Sequence, residues 1–358
     1  MVKSSILTAV LTLASSAAAE CGLGTPDAKV TGSGSAFVAT KGSSQVYNGS
    51  DYLAAIQAAV DSISSGQRVS IIASGSIGAG TIAIQSGKTF EGCGTINAAL
   101  RAPRGAIEVT DASGVTIPYL TMTGNPYFAL RCFGTKDLTL GTINMDLSGT
   151  ESIGIRFDRD QAANTNVKMG TVTVTGAGSH AIETWNIDGL TIDQVIAKNC
   201  GQCGLLLQKT TNAQVGFVSG TDVGATTGYA TLRFANNNGQ LPDGSYTPNI
   251  FVKNVFSRRG GRGVFCVSES GGAVIDSIDL ADNVNNAILI ENCYDVTIKG
   301  GKVKGGGQVR ISARTEFPNT KDISITAEVD DTTVLEDPCG VNITWNLSGN
   351  APRTLCQK

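Results

Sequence analysis

The sequence predicts an all-β fold, a parallel β-helix in which short strands coil into a solenoid, and three observations carry that expectation. First, short apolar runs recur along the chain, with Ile107, Leu130, Ile155, Ile182, Leu205, Leu232, Val264, Ile288 and Ile311 as anchors spaced by 23, 25, 27, 23, 27, 32, 24 and 23 residues. Second, another strand-like segment lies between anchors, as at Val115-Thr-Ile, Leu138-Thr-Leu, Val172-Thr-Val and Val296-Thr-Ile, with no helical pattern separating the two. A helix-free repeat of this length is the sign of stacked coils sharing one core. Third, 44 Gly supply turns while aromatics make up 6% and charged residues 16%, which suits many short strands and suits a helical bundle poorly.

Taken in order, residues 1–19 read as a secretory signal, with Lys3 as the positive start, 6–14 as the apolar stretch and Ala17-Ala-Ala as a small-residue cleavage site. The stretch is much shorter than the ~20 residues of a membrane span, so a secreted, soluble, extracellular protein is expected. The segment 20–67 carries one amphipathic helix from Asp51 to Ile63, placed to cap the strand edge that opens the stack. Coils are expected over 68–333, their inward Ile, Leu and Val stacking at about 4.8 Å per coil. The tail 334–358 covers the far end, pinned by a bridge between Cys339 and Cys356. Nine cysteines fit an oxidising compartment. Cys21 and Cys93 are placed to tie the amino-terminal segment down, and Cys200 and Cys203 are close enough for a local bridge. Cys132, Cys266 and Cys293 sit inside apolar strand patterns and read as buried thiols. Sequons at Asn48, Asn342 and Asn346 mark expected glycosylated surface.

The opening of the coil region, Ile71-Ile-Ala-Ser-Gly-Ser-Ile followed by Ile82-Ala-Ile-Gln-Ser-Gly-Lys-Thr-Phe-Glu-Gly-Cys-Gly-Thr-Ile, resembles that of the pectin-lyase-like superfamily. There a strand, a Gly-Xaa-Ile turn and a Lys-Thr-hydrophobe-Xaa-Gly step lead into the coils. With the coil pattern, the resemblance spans residues 68 to 330. It implies a right-handed parallel β-helix and an extracellular polysaccharide as substrate. It carries over no catalytic residues. The Asn-Thr-Asp, Gly-His-Gly and Arg-Ile-Lys signatures of polygalacturonase-like hydrolases are missing, as are the Trp-Ile-Asp-His and Arg-Xaa-Pro-Xaa-Xaa-Arg segments of calcium-dependent pectate lyases.

The core of such a solenoid is apolar, so chemistry must lie on outward positions and adjoining loops. One outward column follows the anchors directly, as Glu108, Arg131, Arg156, Glu183, Leu206, Arg233, Phe265, Leu289 and Ser312. A second, two residues on, holds Thr110, either Cys132 or Phe133, then Asp158, Trp185, Gln208, Ala235, Val267, Glu291 and Arg314. Charge concentrates between Arg131 and Arg233, the expected groove floor. Excursions beginning at Asp158 and spanning 236–248 are the expected walls, because long loops on a rigid scaffold commonly frame a site.

β-Elimination from a uronate polymer fits this column. Arginines neutralise the carboxylate beside the weakly acidic C5 proton, and a base removes that proton. Arg156, Glu183, Arg233 and His180 form the expected catalytic centre. Arg131, Asp158, Trp185, Gln208 and Lys209 are expected substrate contacts, with His180, Lys209 or one of the arginines as base. Arg258, Arg259 and Arg262, in one basic turn, either extend the groove along an anionic chain or pair locally with Glu269. Glycoside hydrolysis is the rival, with Glu183 and Asp158 as the carboxylate pair that needs roughly 5 to 10 Å of separation and Trp185 as a stacking platform. Neighbouring arginines would keep both carboxylates ionised, against the need for an acid. A Ca2+ ion bridging Asp158, Glu183 and substrate is a further option. So is an ordinary exposed ion-pair ladder on a non-catalytic glycan-binding β-helix. His180, the single His, reads as an exposed turn residue whose imidazole titrates near neutrality. Glu291 with Arg314, and Arg310 with Glu316, are expected pairs. The formal net charge of -3 gives no electrostatic case for nucleic acid, and capped ends favour a monomer.

Overall fold

The computed structural model describes residues 21–357, so the expected signal over 1–19 lies outside the described residues. The chain winds through about 12 turns of a right-handed parallel β-helix. A 12-stranded sheet takes one short strand per coil, such as Ile153–Phe157, Ile182–Trp185, Leu205–Gln208 and Ala230–Ala235. A 17-stranded sheet takes the longer strands, such as Lys136–Leu147, Asn164–Thr175, Ile187–Lys198 and Thr211–Thr221. Close backbone approach between coils requires glycine at Gly141 and Gly216. An added Cβ there would lie 2.2 Å from the Pro118 carbonyl oxygen and 2.4 Å from that of Asp193.

Leu130 pairs with Ile107 and Ile155, and the same register runs on through Ile182, Leu205, Leu232, Val264 and Ile288, all fully buried. Burying each such side chain contributes about 1.5–3 kcal/mol, and the stack is the continuous core. The last expected anchor is displaced, because Ile288 pairs with Val309 and Ile311 pairs with Ile290. Arg310 therefore enters the first outward column and Ser312 the second. In the second column the coil of Arg131 contributes Phe133, while Cys132 points into the core. Arg314 pairs with Glu291 as expected, but it also takes Glu316, while Arg310 donates to the Asp337 carbonyl.

Both end segments belong to the stack. Ala28–Ser33 pairs antiparallel with Ala36–Lys41 and parallel with Arg68–Ile71, so sheet structure begins before the expected boundary at 68. Val334–Glu336 and Val341–Ser348 extend both sheets in parallel beyond 333. The helix Tyr52–Ser62 starts at Asp51, whose carboxylate accepts the Ala54 N–H at 3.0 Å. Tyr52, Ala55, Ile56, Ala59 and Val60 form its buried face. Its last-turn carbonyls accept from the Lys41 and Lys88 ammonium groups, which also complement the helix dipole. The sequon asparagines Asn48, Asn342 and Asn346 are exposed on the end strands Ser44–Gly49 and Val341–Ser348.

Cys21–Cys93 and Cys339–Cys356 are disulfides, as the sequence predicts, and Cys266–Cys293 is a third, correcting their reading as thiols. Cys266 ends the short strand Arg262–Cys266 and Cys293 opens Cys293–Ile298 one coil on, so this bond staples coil to coil. Cys200 and Cys203 are not bridged. Cys200 packs in the main core, whereas Cys203 belongs to a separate cluster with Leu206, Ala235 and Val267. Three disulfides fit an oxidising environment. No helix among the described residues is long and apolar enough to cross a membrane.

Candidate functional site

On the outer face of the 12-stranded sheet, Glu108, Arg131, Arg156 and Glu183 stand in register on successive coils. Side chains about 4.8 Å apart up a sheet must meet if they are charged and long enough, and these do. Arg104 forks onto Glu108 at 2.8 and 2.6 Å, Arg131 reaches Glu108 at 3.3 Å and Asp158 at 2.6 Å, and Arg156 donates to Asp158 at 3.1 Å and also grips Glu183. Phe128 and Phe133 lie against the Arg131 guanidinium. From Arg131 to Glu183 the expected groove floor is thus an ion-pair ladder whose charges are committed to one another. Asp158 is pinned between two guanidiniums.

Glu183 and Arg156 were expected to face solvent, yet the Glu183 side chain is only 9% exposed and that of Arg156 19%. The Glu183 carboxylate also accepts the Trp185 indole N–H at 3.0 Å and the Gln208 amide at 2.8 Å. Burial pushes its pKa up, but His180, the Arg156 guanidinium and the Trp185 hydrogen bond outweigh burial and hold the carboxyl below its ordinary range. Trp185 is buried with Arg159 over its ring, so it is no open sugar platform. A calcium ion between Asp158 and Glu183 does not fit, because Arg156 bridges those two carboxylates.

His180 corrects its sequence reading too. It is buried rather than exposed, packed edge-on against Tyr229. Its Nδ1 accepts the Cys203 N–H at 3.1 Å, which leaves the proton of the neutral ring on Nε2, 3.9 Å from Glu183. Burial lowers its pKa to about 4, Glu183 opposing and the charges of Arg233 and Arg156 assisting. At neutral pH the imidazole is uncharged with no free lone pair to take a substrate proton.

Beside the ladder, where the chain leaves the short strands, lies a cleft of about 840 Å³ between the two expected loops. Arg159 and Gln161 line one wall, Asn237, Gln240 and Leu241 the other, and Asn186, Asp188, Lys209 and Asn212 the floor. The walls are anchored. Asn186 donates to the Arg159 carbonyl at 2.7 Å, and Asn249 donates to the carbonyls of Gly239 and Thr247 at 2.8 Å. Gln208 links ladder to wall, giving its amide N–H to Glu183 and accepting from Asn236 at 2.5 Å.

The turn position after the second outward column is left-handed on coil after coil, at Asp111, Gly134, Asn186, Lys209, Asn236, Ser268 and Asn292, with φ between 44° and 61°. Gly and Asx residues take that conformation readily. A lysine does so at a cost of roughly 1–2 kcal/mol. Lys209 is exposed, and among the described residues its ammonium makes no ion pair or hydrogen bond. Arg159 pairs with its exposed neighbour Asp160 and lies over the Trp185 ring. Asp188 uses one oxygen to accept from Thr211 and Asn212. Lys209 was legible as a candidate. Arg159, Asn186, Asp188 and Asn212 were not singled out, and the column of left-handed turn residues was the signal that marks the floor.

The basic turn divides. Arg258 pairs with Asp279 and Arg259 with Asp222, and neither takes Glu269. Arg262 instead lies at the opposite end of the short strands from the cleft, next to Arg233 across the coil step. Comparison with protein-family models, with curated proteins and with solved structures finds no match to this chain.

Proposed function

We propose that the protein is an exported polysaccharide lyase of the pectin-lyase-like type that holds an acidic, uronate-containing glycan in the loop-walled cleft. The observation that carries this reading is Lys209, an unpaired cation kept in a strained turn on the floor of the cleft, opposite Arg159. Arg159 would exchange its exposed Asp160 partner, a weak tie, for the substrate carboxylate, which acidifies the adjacent C5 proton. Lys209 acts as the base that takes that proton. The electron pair forms the C4–C5 double bond, the C4–O bond breaks, and the departing oxygen takes a proton from water. Asn186, Asn212 and Asn237 offer amides to sugar hydroxyls, the convergent polar groups expected of a ligand site.

Hydrolysis has less support, because it requires a protonated carboxyl as acid, while Arg156 helps to hold the Glu183 carboxyl below its ordinary range and Asp158 accepts from two guanidiniums. A non-catalytic glycan binder is favoured by one observation, the full commitment of the ladder to itself. The test is incubation with acidic and neutral polysaccharides, following both the ultraviolet absorbance of unsaturated ends and total reducing ends, for wild type and Lys209→Asn. The lyase reading expects absorbance from an acidic polymer that vanishes in the variant. Reducing ends without absorbance mean hydrolysis, and binding without either means a binder.

A further inference from the structure

The ladder neutralises its arginines, but two on the same face have no such partner. Arg233, on Ala230–Ala235, and Arg262, opening Arg262–Cys266, sit on adjacent coils, with Arg233 paired in register to Phe265. The Arg233 guanidinium lies 4.7 Å from the Tyr229 ring centre and 4.9 Å from that of Phe265, and the Arg262 guanidinium 4.5 Å from Phe265. Their base is the small apolar cluster of Cys203, Leu206, Ala235 and Val267. Neither arginine forms an ion pair among the described residues. Arg262 donates Nε to Asn286 at 3.1 Å, and the Nε of Arg233 is buried with no hydrogen-bond partner. Glu291, whose charge acts on Arg262, is taken by Arg314 at 3.0 Å. His180, buried on the coils below, is neutral at neutral pH.

Two guanidiniums against one aromatic ring repel each other and have lost much of their water. Burial first, and then the charge of Arg233, lower the pKa of Arg262. A bidentate oxyanion between them would take their outer guanidinium N–H groups and relieve the repulsion, and arginine forks suit that geometry. The geometry points to a second binding site for an oxyanion, a glycan carboxylate or sulfate ester, cradled by Arg233 and Arg262 against Phe265 and Tyr229. It lies toward the other end of the short strands from the cleft, roughly 10 to 20 Å along the strand direction, and goes beyond the cleft reading without depending on it.

Calorimetric titration at constant ionic strength tests this, with galacturonate monomer and inorganic sulfate as separate probes. Wild type and Lys209→Asn are compared with Arg233→Gln and Arg262→Gln, and with Arg262→Lys, which keeps the charge and loses the fork. The expected result is saturable binding in wild type and undiminished in Lys209→Asn, weakened about tenfold or more in each arginine variant. Binding of galacturonate alone identifies a carboxylate site, of sulfate alone a sulfate site, and of both a general oxyanion site. Absence of saturable binding by either probe overturns the proposal, and so does equal affinity across wild type and the arginine variants. Lys209→Asn separates this site from the cleft, because a failed lyase reading leaves the titration unchanged.

Discussion

The ladder from Arg104 to Glu183 and the cleft around Lys209 are built from the same coils, yet they treat charge in opposite ways. On the sheet face, register brings each carboxylate to a guanidinium one coil away, and Phe128, Phe133 and Trp185 cover the result. At the turns a few residues further on, the Lys209 ammonium has no ion pair or hydrogen bond among the described residues, and its backbone is strained where neighbouring coils use Asn. Stacking therefore neutralises the face from Arg104 to Glu183, and charge without an ion pair survives beyond it, at Arg233 and Arg262 on the same sheet and at Lys209 where loops interrupt the repeat. Chemistry is to be sought at the interruption.

The comparison breaks first at Lys209. Lys209→Asn should lower lyase turnover by about 10²–10⁴-fold, the usual share of a proton-transferring group. The same change should leave urea-measured stability unchanged or raise it by up to about 1 kcal/mol, because Asn relaxes the left-handed turn. Glu183→Ala should do the reverse. It leaves Arg156 largely covered with one carboxylate fewer, costing about 3–5 kcal/mol of unfolding free energy, while the folded fraction keeps its activity. A stable but inactive Glu183→Ala protein would move the chemistry back onto the ladder.

His180 sharpens the contrast through pH. Its folded pKa is about 4 against an ordinary 6.5, so between those values the unfolded chain binds the extra proton. Stability should then fall as pH drops from about 6.5 to about 4, by on the order of 3 kcal/mol, and this part of the slope should vanish in His180→Asn. Glu183 has the opposite kind of group and a lower window. Its folded pKa is depressed, so its contribution is present above the ordinary 4.5 and is lost only as pH falls below it. The smallest effect belongs to the exposed Arg259–Asp222 pair, where Asp222→Ala should leave the melting temperature unchanged within error.

Much of the fold was readable because inward positions repeat with a period that only stacking explains, and Ile107 through Ile288 fall into register as the spacing predicts. The slip at Val309 was hidden by the Gly305-Gly-Gly turn, which shortens that coil without leaving an apolar mark. Cys266 looked like one more core residue because it is one, and only three dimensions bring Cys293 to it. The arginine and carboxylate columns were legible, but their mutual neutralisation depends on side-chain reach. His180 was misread because Cys203 and Tyr229, 23 and 49 positions away, are what enclose it. Arg159 escaped notice beside Asp158, since the pattern cannot tell which residue of an excursion turns toward the cleft.

The most direct measurement is a crystal structure with a bound uronate oligosaccharide. The account predicts sugar between the two loops, with a carboxylate on Arg159 and a ring C5 within reach of the Lys209 Nζ. Sugar laid instead across Arg131, Arg156 and Glu183, with the ladder pairs opened to receive it, would contradict it.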